Sequence, residues 1–247
     1  MAENLGFGVD IGGSGIKGGI VDMDTGELVG ERFKVPTPQP STPGACAGAV
    51  REVIGHFGWD GPVGITVPAV VTNGTVRSAA NIDAGWVGTD ANELFTSTLD
   101  RPVTVLNDAD AAGLAEDRYG AGRDFDGVIL LLTLGTGIGS ALIYRGTLVP
   151  NTEFGHIEVE GKEAEHRAAS SVKDRRGWSY EKWAGQVSRV FREYEKLLWP
   201  DLIIVGGGVS RKADKWVPLL EVKTPVIPAK LLNTAGIVGA AMASQRT

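Results

Sequence analysis

Residues 5–22 read LGFGVDIGGSGIKGGIVD, and residues 128–144 read VILLLTLGTGIGSALIY. In each segment two apolar runs flank a short glycine-rich turn, a pattern that predicts two antiparallel strands joined as a hairpin. The two turns begin at Gly12 and Gly135, which lie 123 residues apart in a chain of 247. Similar units at half-chain spacing predict two related domains.

Strand and helix patterns alternate along the rest of the chain, which predicts an α/β fold. A third strand follows each hairpin. The predicted strands and helices outside the hairpins are Leu28–Lys34, Val63–Val67, Val103–Leu106, Thr147–Val149 and Leu202–Val205 for strands, and Ala45–Phe57, Ala109–Tyr119, Trp183–Leu198 and Ala235–Ala243 for helices. The apolar face of the helix ending at Leu198 is interpreted as core or as a homodimer contact.

Composition and charge exclude several classes of protein. The net charge of −6 argues against a general nucleic-acid binder. Cys46 is the single cysteine, so neither an intrachain disulfide nor a cysteine-based zinc site is expected. The first residues show no secretory signal, and the uncharged stretch 127–144 is broken by glycines, so we expect a cytoplasmic protein without a membrane span.

The glycine turns permit two interpretations. They form plain tight turns, or they hold phosphate groups against bare backbone N–H groups. A dinucleotide site is disfavoured because a strand, not a helix, follows the Gly13-x-Gly15-x-x-Gly18 pattern, and no Walker A motif is present. The candidate phosphate or nucleotide contacts are Gly12, Gly13, Ser14, Lys17, Gly135, Thr136, Gly137, Gly206, Gly207 and Gly208, and Asp10 is a candidate Mg²⁺ ligand.

Two polar motifs are candidates for the acceptor side of a reaction. Asn107 and Asp108 follow an apolar strand, where they either cap the next helix or place a carboxylate base at the strand's carboxyl end. Glu153 and His156 flank a glycine and are either structural or able to bind a polyhydroxylated ligand.

Five motifs of the chain resemble those of the ROK-type sugar kinases, in the same order and over nearly the whole chain. They are Asp10–Lys17, Asn107–Ala112, Leu134–Gly139, Glu153–His156 and Gly206–Gly208. Glu158–Glu165 and Gly206–Asp214 are similar, more narrowly, to the bacterial polyphosphate glucokinases and polyphosphate/ATP glucomannokinases.

The resemblance implies a two-lobed actin-like ATPase (ribonuclease H-like) fold with a central cleft. We expect an N-terminal lobe of residues 1–110, rejoined by a C-terminal helix at 234–247, and a C-terminal lobe of residues 111–233. The implied activity is transfer of a phosphoryl group from polyphosphate or ATP, with Mg²⁺, to the 6-hydroxyl of glucose and also mannose. By this resemblance Asp108 is the general base, and the sugar contacts are Asn107, Asp108, Glu153, His156 and Glu165.

The chain departs from the wider family in two respects. Many members carry a cysteine-rich zinc motif after the histidine, and residues 157–171 have no cysteine, so no zinc site is expected. The family's repressors carry a DNA-binding segment before the kinase-like part, whereas here the first hairpin starts near residue 5. A non-catalytic sugar or nucleotide sensor and a kinase for an amino sugar are the alternatives.

The sequence gives one hint about the phosphoryl donor. Between Lys162 and Arg192, eight lysines and arginines outnumber four acidic residues, although the whole chain is acidic. This excess is typical of a track for a polyanion and equally of a solvated helix face.

Overall fold

The computed structural model describes residues 4–80 and 82–245. They divide into two compact units, Met1–Ala115 with Thr234–Thr247, and Glu116–Asn233. The change from one unit to the other therefore lies inside a helix, after Ala115. Positions 1–3 and 246–247 of the predicted lobe, and Asn81, lie outside the described residues.

Each unit alternates strands and helices, as an α/β fold requires. The first unit contains β1 (Leu5–Gly12), β2 (Gly15–Asp22), β3 (Phe33–Val35), α1 (Pro43–Phe57), β4 (Val63–Val67), β5 (Val71–Thr72), β6 (Thr75–Val76), α2 (Ala91–Leu99), β7 (Val103–Asn107) and the start of α3 (Asp108–Tyr119). The second contains β8 (Val128–Leu134), β9 (Ile138–Tyr144), β10 (Thr147–Val149), α4 (Ala164–Ala168), α5 (Ser170–Arg175), α6 (Tyr180–Leu198), β11 (Leu202–Gly206) and β12 (Val226–Pro228). The last helix, α7 (Ala235–Ser244), belongs to the first unit.

The two main sheets share one topology. The first has the order β3-β2-β1-β4-β7 and the second β10-β9-β8-β11-β12. In both, the first three strands in chain order form an antiparallel meander, and the next two join as parallel strands. The half-chain repeat predicted from Gly12 and Gly135 is therefore present in the strand order itself.

The helices end where local chemistry predicts. Thr42 caps α1 by accepting the Ala45 N–H at 3.4 Å, Pro43 occupies its first turn, and Gly58 closes it with φ 59°. In α6 most of the apolar face, including Trp183 and Phe191, is fully buried, whereas Leu197 near the end of the helix is 65% exposed. Most of that face is thus core, and the homodimer stays a prediction that this helix does not test.

One strand prediction is displaced. The third strand of the first sheet was expected at Leu28–Lys34, but β3 is Phe33–Val35, and Leu28 forms only an isolated bridge with Val21. Gly30 lies between them with φ +80°, a conformation that interrupts an extended strand.

Among the described residues no helix combines the length and apolar character needed to cross a membrane, and the cytoplasmic location stays a prediction.

The C-terminal helix α7 lies directly on bare glycine backbone. Gly8 in β1 and Gly64 in β4 are paired across the sheet. A Cβ at Gly8 would lie 1.9 Å from the Ile237 carbonyl oxygen, and one at Gly64 would lie 1.7 Å from that of Ala240. Only glycine permits this approach, so the position of α7 depends on the absence of side chains at Gly8 and Gly64.

We predict that Gly64→Ala destabilises the protein by about 3 kcal/mol, because the new methyl group pushes α7 off the sheet. In a thermal unfolding scan this corresponds to a midpoint lower by roughly 6–12 °C. Gly48→Ala is the matched control: Gly48 is exposed in the middle of α1 with nothing near its missing Cβ. That variant should be stabilised by up to about 1 kcal/mol through helix propensity. Equal midpoints for the two variants would contradict the packing argument.

Candidate active site

The first glycine turn carries a buried charge pair at its base. The two-residue turn between β1 and β2 places Asp10 opposite Lys17. Their side chains form an ion pair with Nζ 2.9 Å from Oδ2, and they are only 15% and 22% exposed. The other oxygen, Oδ1, accepts the hydroxyl of Thr66 at 2.8 Å. Both candidate residues at this turn are therefore engaged with each other.

The position of Asp10 also depends on α7. A Cβ at Gly236 would lie 2.7 Å from the Asp10 carboxyl group, so the bare backbone at the start of α7 packs against that carboxylate. At the tip of the turn, Gly13 and Ser14 are exposed, and a Cβ at Gly13 would meet nothing within 4 Å. The tip is thus open to a ligand, while its base is held rigidly.

A pocket of about 290 Å³ opens beside this turn within the first unit. Its volume suits a small polar ligand. Thr37 on its wall donates a hydrogen bond to the Gly12 carbonyl, and Asp83 accepts the Gly85 N–H at 2.8 Å. The complete lining is Ile11, Gly12, Gly13, Thr37, Gln39, Pro40, Ser41, Pro68, Ile82 and Asp83. Sequence reasoning missed this wall, because the loop after β3 has no motif beyond its prolines.

Asn107 and Asp108 lie where β7 turns directly into α3. The Asn107 side-chain oxygen accepts the N–H groups of Ala109 and Asp110 at 2.8 and 3.0 Å, and its amide donates to the Ala69 carbonyl at 3.1 Å. The capping interpretation is thus correct for buried Asn107. Ala69 adjoins Pro68 of the pocket wall, so Asn107 also fixes that loop.

Asp108 is placed differently from its neighbour. It is half-buried, and its Oδ1 accepts the Ala109 N–H at 2.9 Å. As the first residue of a 12-residue helix, it lies at the positive end of the helix dipole, which favours the charged carboxylate. A charged carboxylate is the form that can accept a proton.

The second glycine turn is tied to α5. Ser170 and Ser171 donate to the Gly135 carbonyl at 3.1 Å each, through the Ser170 hydroxyl and the Ser171 N–H. The Ser171 hydroxyl donates to the Thr136 carbonyl at 2.7 Å. These bonds engage the Gly135 and Thr136 carbonyl groups, and within the turn the Gly135 N–H donates to the Gly137 carbonyl at 3.0 Å.

The glycines after β11 contact the same hairpin. Gly207 has φ +82°, and a Cβ there would lie 2.6 Å from the Leu134 carbonyl oxygen, next to Gly135. Gly208, by contrast, has nothing within 4 Å of its missing Cβ. Gly207 is therefore a structural requirement of the strand-to-helix turn, whereas Gly208 leaves open backbone.

Three of the predicted sugar contacts lie together in the second unit. Glu153 precedes a short 3₁₀ turn, Phe154–His156, which ends at His156. His156 Nε2 lies 3.7 Å from Glu153 Oε2, and the Glu153 and His156 side chains are 40% and 47% exposed. Glu165 reaches the second glycine turn: its Oε2 accepts the Ile138 N–H at 3.4 Å and would lie 2.3 Å from a Cβ at Gly137. Glycine at 137 therefore makes room for this carboxylate.

Two further side chains complete this group, and sequence reasoning missed both. Glu163 Oε2 lies 3.6 Å from His156 Nδ1 and 3.3 Å from His166 Nδ1. His166 Nε2 in turn lies 3.7 Å from Glu165 Oε1. The order Glu153, His156, Glu163, His166, Glu165 therefore alternates carboxylate and imidazole, and we call it the acid–imidazole chain. The sequence signal for the two missed residues is the three-residue spacing of Glu163 and His166 at the start of α4.

Burial and neighbouring charge shift the protonation of this group. Burial raises the pKa of Glu153, His156 lowers it, and Glu165 raises it again. Burial also raises the pKa of Tyr194, with a further increase from Glu165, while its hydroxyl donates to the Phe154 carbonyl at 2.9 Å. Tyr194 therefore stays a neutral donor that holds the loop between Glu153 and His156.

Fold and site together define an α/β protein of the actin-like ATPase (ribonuclease H-like) class, in the form found in sugar kinases. The chain belongs to the ROK family, whose model matches residues 6–172. Over 243 residues it is 65% identical to the polyphosphate glucokinase of Mycobacterium tuberculosis, covering 98% of this chain and 92% of that one.

Solved structures agree with this membership. The inorganic polyphosphate/ATP-glucomannokinase from Arthrobacter sp. strain KM is 51% identical with a TM-score of 0.92, over 96% of this chain and 97% of that one. A ROK family glucokinase from Streptomyces griseus, solved in complex with glucose and AMPPNP, is 27% identical with a TM-score of 0.85, over 99% and 100%.

We predict that Glu153→Gln raises the thermal unfolding midpoint at neutral pH by about 1–2 °C, because the variant removes a charge that partial burial disfavours. The effect is small because the Glu153 side chain is 40% exposed to solvent. The raised pKa means that the folded protein binds the proton more tightly than the unfolded chain. The wild type therefore gains stability relative to the variant as pH falls through the pKa of Glu153.

Thermal scans of both proteins at neutral pH and at about pH 4 check this, since the difference should shrink in acid. Glu158→Gln, two residues beyond the 3₁₀ turn, is the control for simple loss of a negative charge. A Glu153→Gln midpoint below that of the wild type at neutral pH would refute the sign.

Proposed function

We propose that this protein is a hexokinase-type phosphotransferase that moves a phosphoryl group from inorganic polyphosphate or ATP to the 6-hydroxyl of glucose. The observation that carries the proposal is 65% identity to a polyphosphate glucokinase over 98% of the chain. The 51% identical glucomannokinase adds mannose as a second acceptor.

Asp108 acts as the general base. It accepts the proton of the hexose 6-hydroxyl as that oxygen attacks the terminal phosphorus of the donor, and the bond from phosphorus to the bridging oxygen breaks. The donor leaves one phosphate shorter. Two features support this role: the carboxylate is held by the Ala109 N–H at 2.9 Å, and the start of α3 favours its charged form.

We assign the other sugar hydroxyls to Asn107, Glu153, His156 and Glu165. Carboxylate oxygens accept from hydroxyl groups, and an imidazole or amide both accepts and donates. The half-exposed side chains of Glu153 and His156 support the assignment, because they are held by neighbours yet open to solvent. The pocket beside the first glycine turn adds the polar wall of Thr37 and Asp83.

The glycine turns bind the donor phosphates. At the first turn the contacts are Gly12, Gly13 and Ser14, and at the second they are Gly135, Thr136 and Gly137, with Gly208 adding open backbone. Lys17, which pairs with Asp10 at the base of the first turn, adds a positive charge for the phosphates.

Asp10 would hold Mg²⁺. Its carboxylate offers the oxygen ligands that Mg²⁺ prefers, and Thr66 and Lys17 already bond to it. Such a site fits a cation that keeps several waters and is bound through one carboxylate and substrate phosphates. When bound, Mg²⁺ neutralises charge on the transferring phosphates. Gly236 supports the assignment, since its missing side chain leaves Asp10 in place.

One coupled assay tests the proposed function. Purified protein is given Mg²⁺ with either ATP or long-chain polyphosphate, and glucose, mannose, N-acetylglucosamine or N-acetylmannosamine as the acceptor. We expect hexose 6-phosphate from glucose with both donors, and from mannose more slowly. Turnover confined to an amino sugar would replace the acceptor, and sugar binding without turnover would favour a sensor.

We predict that Asp108→Asn keeps glucose affinity within about threefold but lowers kcat by roughly 10²–10⁴-fold, because the amide retains hydrogen bonding and cannot accept the proton. Calorimetry measures the affinity and the coupled assay the turnover. Asp90→Asn is the control, because Asp90 is another carboxylate at a helix start in the same unit, where it accepts the Glu93 N–H at 2.9 Å. Near-normal turnover in Asp108→Asn would remove this residue from the role of base.

A further inference from the structure

Residues 173–182, KDRRGWSYEK, form an exposed basic segment at the end of α5 and the start of α6, which we call the basic loop. It holds Lys173, Arg175, Arg176 and Lys182 within ten residues, against Asp174 and Glu181. Half of the charge excess noted between Lys162 and Arg192, +2 of +4, thus lies in this one short stretch.

The basic loop begins beside the second glycine turn. Ser170 and Ser171, at the start of α5, donate hydrogen bonds to Gly135 and Thr136. At 1.5 Å per residue, Arg175 and Arg176 lie roughly 6–9 Å further along the helix axis. A chain leaving the glycine turn would therefore reach these arginines within a few phosphate units.

The cations of the loop are poorly neutralised by the protein. Within residues 4–80 and 82–245, no carboxylate lies within 4.0 Å of the charged groups of Arg175, Arg176 or Lys182, and all three are exposed. Some exposed cations of the second unit do have such partners, as Arg145 does with Asp126 and Lys196 with Glu193, whereas in the described part of the chain Arg211, Lys212 and Lys215 have none either. Unpaired like charges repel one another, and a polyanion relieves that repulsion.

Aromatic rings order these cations. The Arg176 guanidinium lies 5.1 Å from the centre of the Trp178 ring, and Lys182 Nζ lies 5.5 Å from the same centre. Lys173 Nζ lies 4.6 Å from the Tyr180 ring and 3.0 Å from Asp174 Oδ1. Contacts of this kind restrict the long side chains, so less conformational entropy is lost when an anion binds.

We propose that the basic loop binds the chain of inorganic polyphosphate beyond the phosphates held at the glycine turn. This inference rests on the proposed function and deepens it, because it assigns a binding site to the part of a long donor chain that extends beyond the glycine turn. Polyphosphate carries a negative charge on every unit, so each added unit gains another contact. ATP ends in a nucleoside and gains little from these cations.

The test is the triple variant Arg175→Gln/Arg176→Gln/Lys182→Gln. Steady-state kinetics are measured with long-chain polyphosphate, tripolyphosphate and ATP, each over a range of salt. We expect KM for long-chain polyphosphate to rise at least about tenfold at low salt, and its dependence on log salt concentration to flatten by up to about three units. KM for ATP, tripolyphosphate and glucose should stay within about twofold, as should kcat.

A charge-matched control is Arg123→Gln/Arg145→Gln/Lys196→Gln. These three cations are exposed in the same unit, and Arg145 lies at the end of the β8–β9 hairpin opposite the glycine turn. An equal rise in KM for long-chain polyphosphate in this control would reduce the effect to net charge and overturn the proposal. An unchanged KM in the basic-loop variant, or an equal loss with ATP, would do the same.

The activity of the wild type separates the kinase function from the donor site. A wild type that phosphorylates glucose with neither donor refutes the proposed function itself. A wild type active with ATP alone keeps the kinase assignment and overturns the basic loop as a donor site. Calorimetric titration of long-chain polyphosphate into wild type and variant, without glucose, gives a second readout, in which the affinity should fall by the same factor as KM rises.

Discussion

The close packing of α7 on the Gly8–Gly64 pair is the contact on which the first unit depends. The two glycines are neighbours in register, so together they leave a strip without side chains, on which the helix backbone lies. Gly236, at the start of the same helix, meets the carboxylate of Asp10, two residues beyond Gly8. A constraint that looks purely structural therefore also positions a charged group at the base of the first glycine turn.

The duplicated topology does not give the two turns the same chemistry. Asp10 and Lys17 stand two residues outside the first turn, and the corresponding positions of the second hairpin are Thr133 and Gly139. The second turn instead receives its polar partners from elsewhere, with Ser170 and Ser171 on its carbonyls and Glu165 on the Ile138 N–H. One fold unit, used twice, thus places an ion pair at one turn, and hydrogen bonds from serines and to a carboxylate at the other.

The sequence predicts this fold well wherever the signal is local. Both hairpins follow from apolar periodicity, and the start of α3 follows from the polar pair Asn107-Asp108 after an apolar strand. The ion pair of Asp10 with Lys17 is a finding of the structure and not a prediction from the sequence. What it does not reveal depends on contacts distant in sequence. Nothing near Gly64 indicates that Ala240 will lie on it, and nothing near His156 indicates that Glu163 will face it. Gly207 is the opposite case. The sequence suggested it as a ligand contact, whereas in the structure a glycine is required there by the close approach of the Leu134 carbonyl and by the positive φ.

The acid–imidazole chain explains how the loop around His156 is ordered in a region without cysteine. His156 lies between Glu153 and Glu163, and His166 lies between Glu163 and Glu165. Whichever ring nitrogen carries the proton therefore faces a carboxylate, and the three like charges are separated by imidazoles. Because burial and Glu165 already raise the pKa of Glu153, removing either imidazole would bring the carboxylates into direct repulsion. The histidines thus allow several acidic side chains to share one small surface.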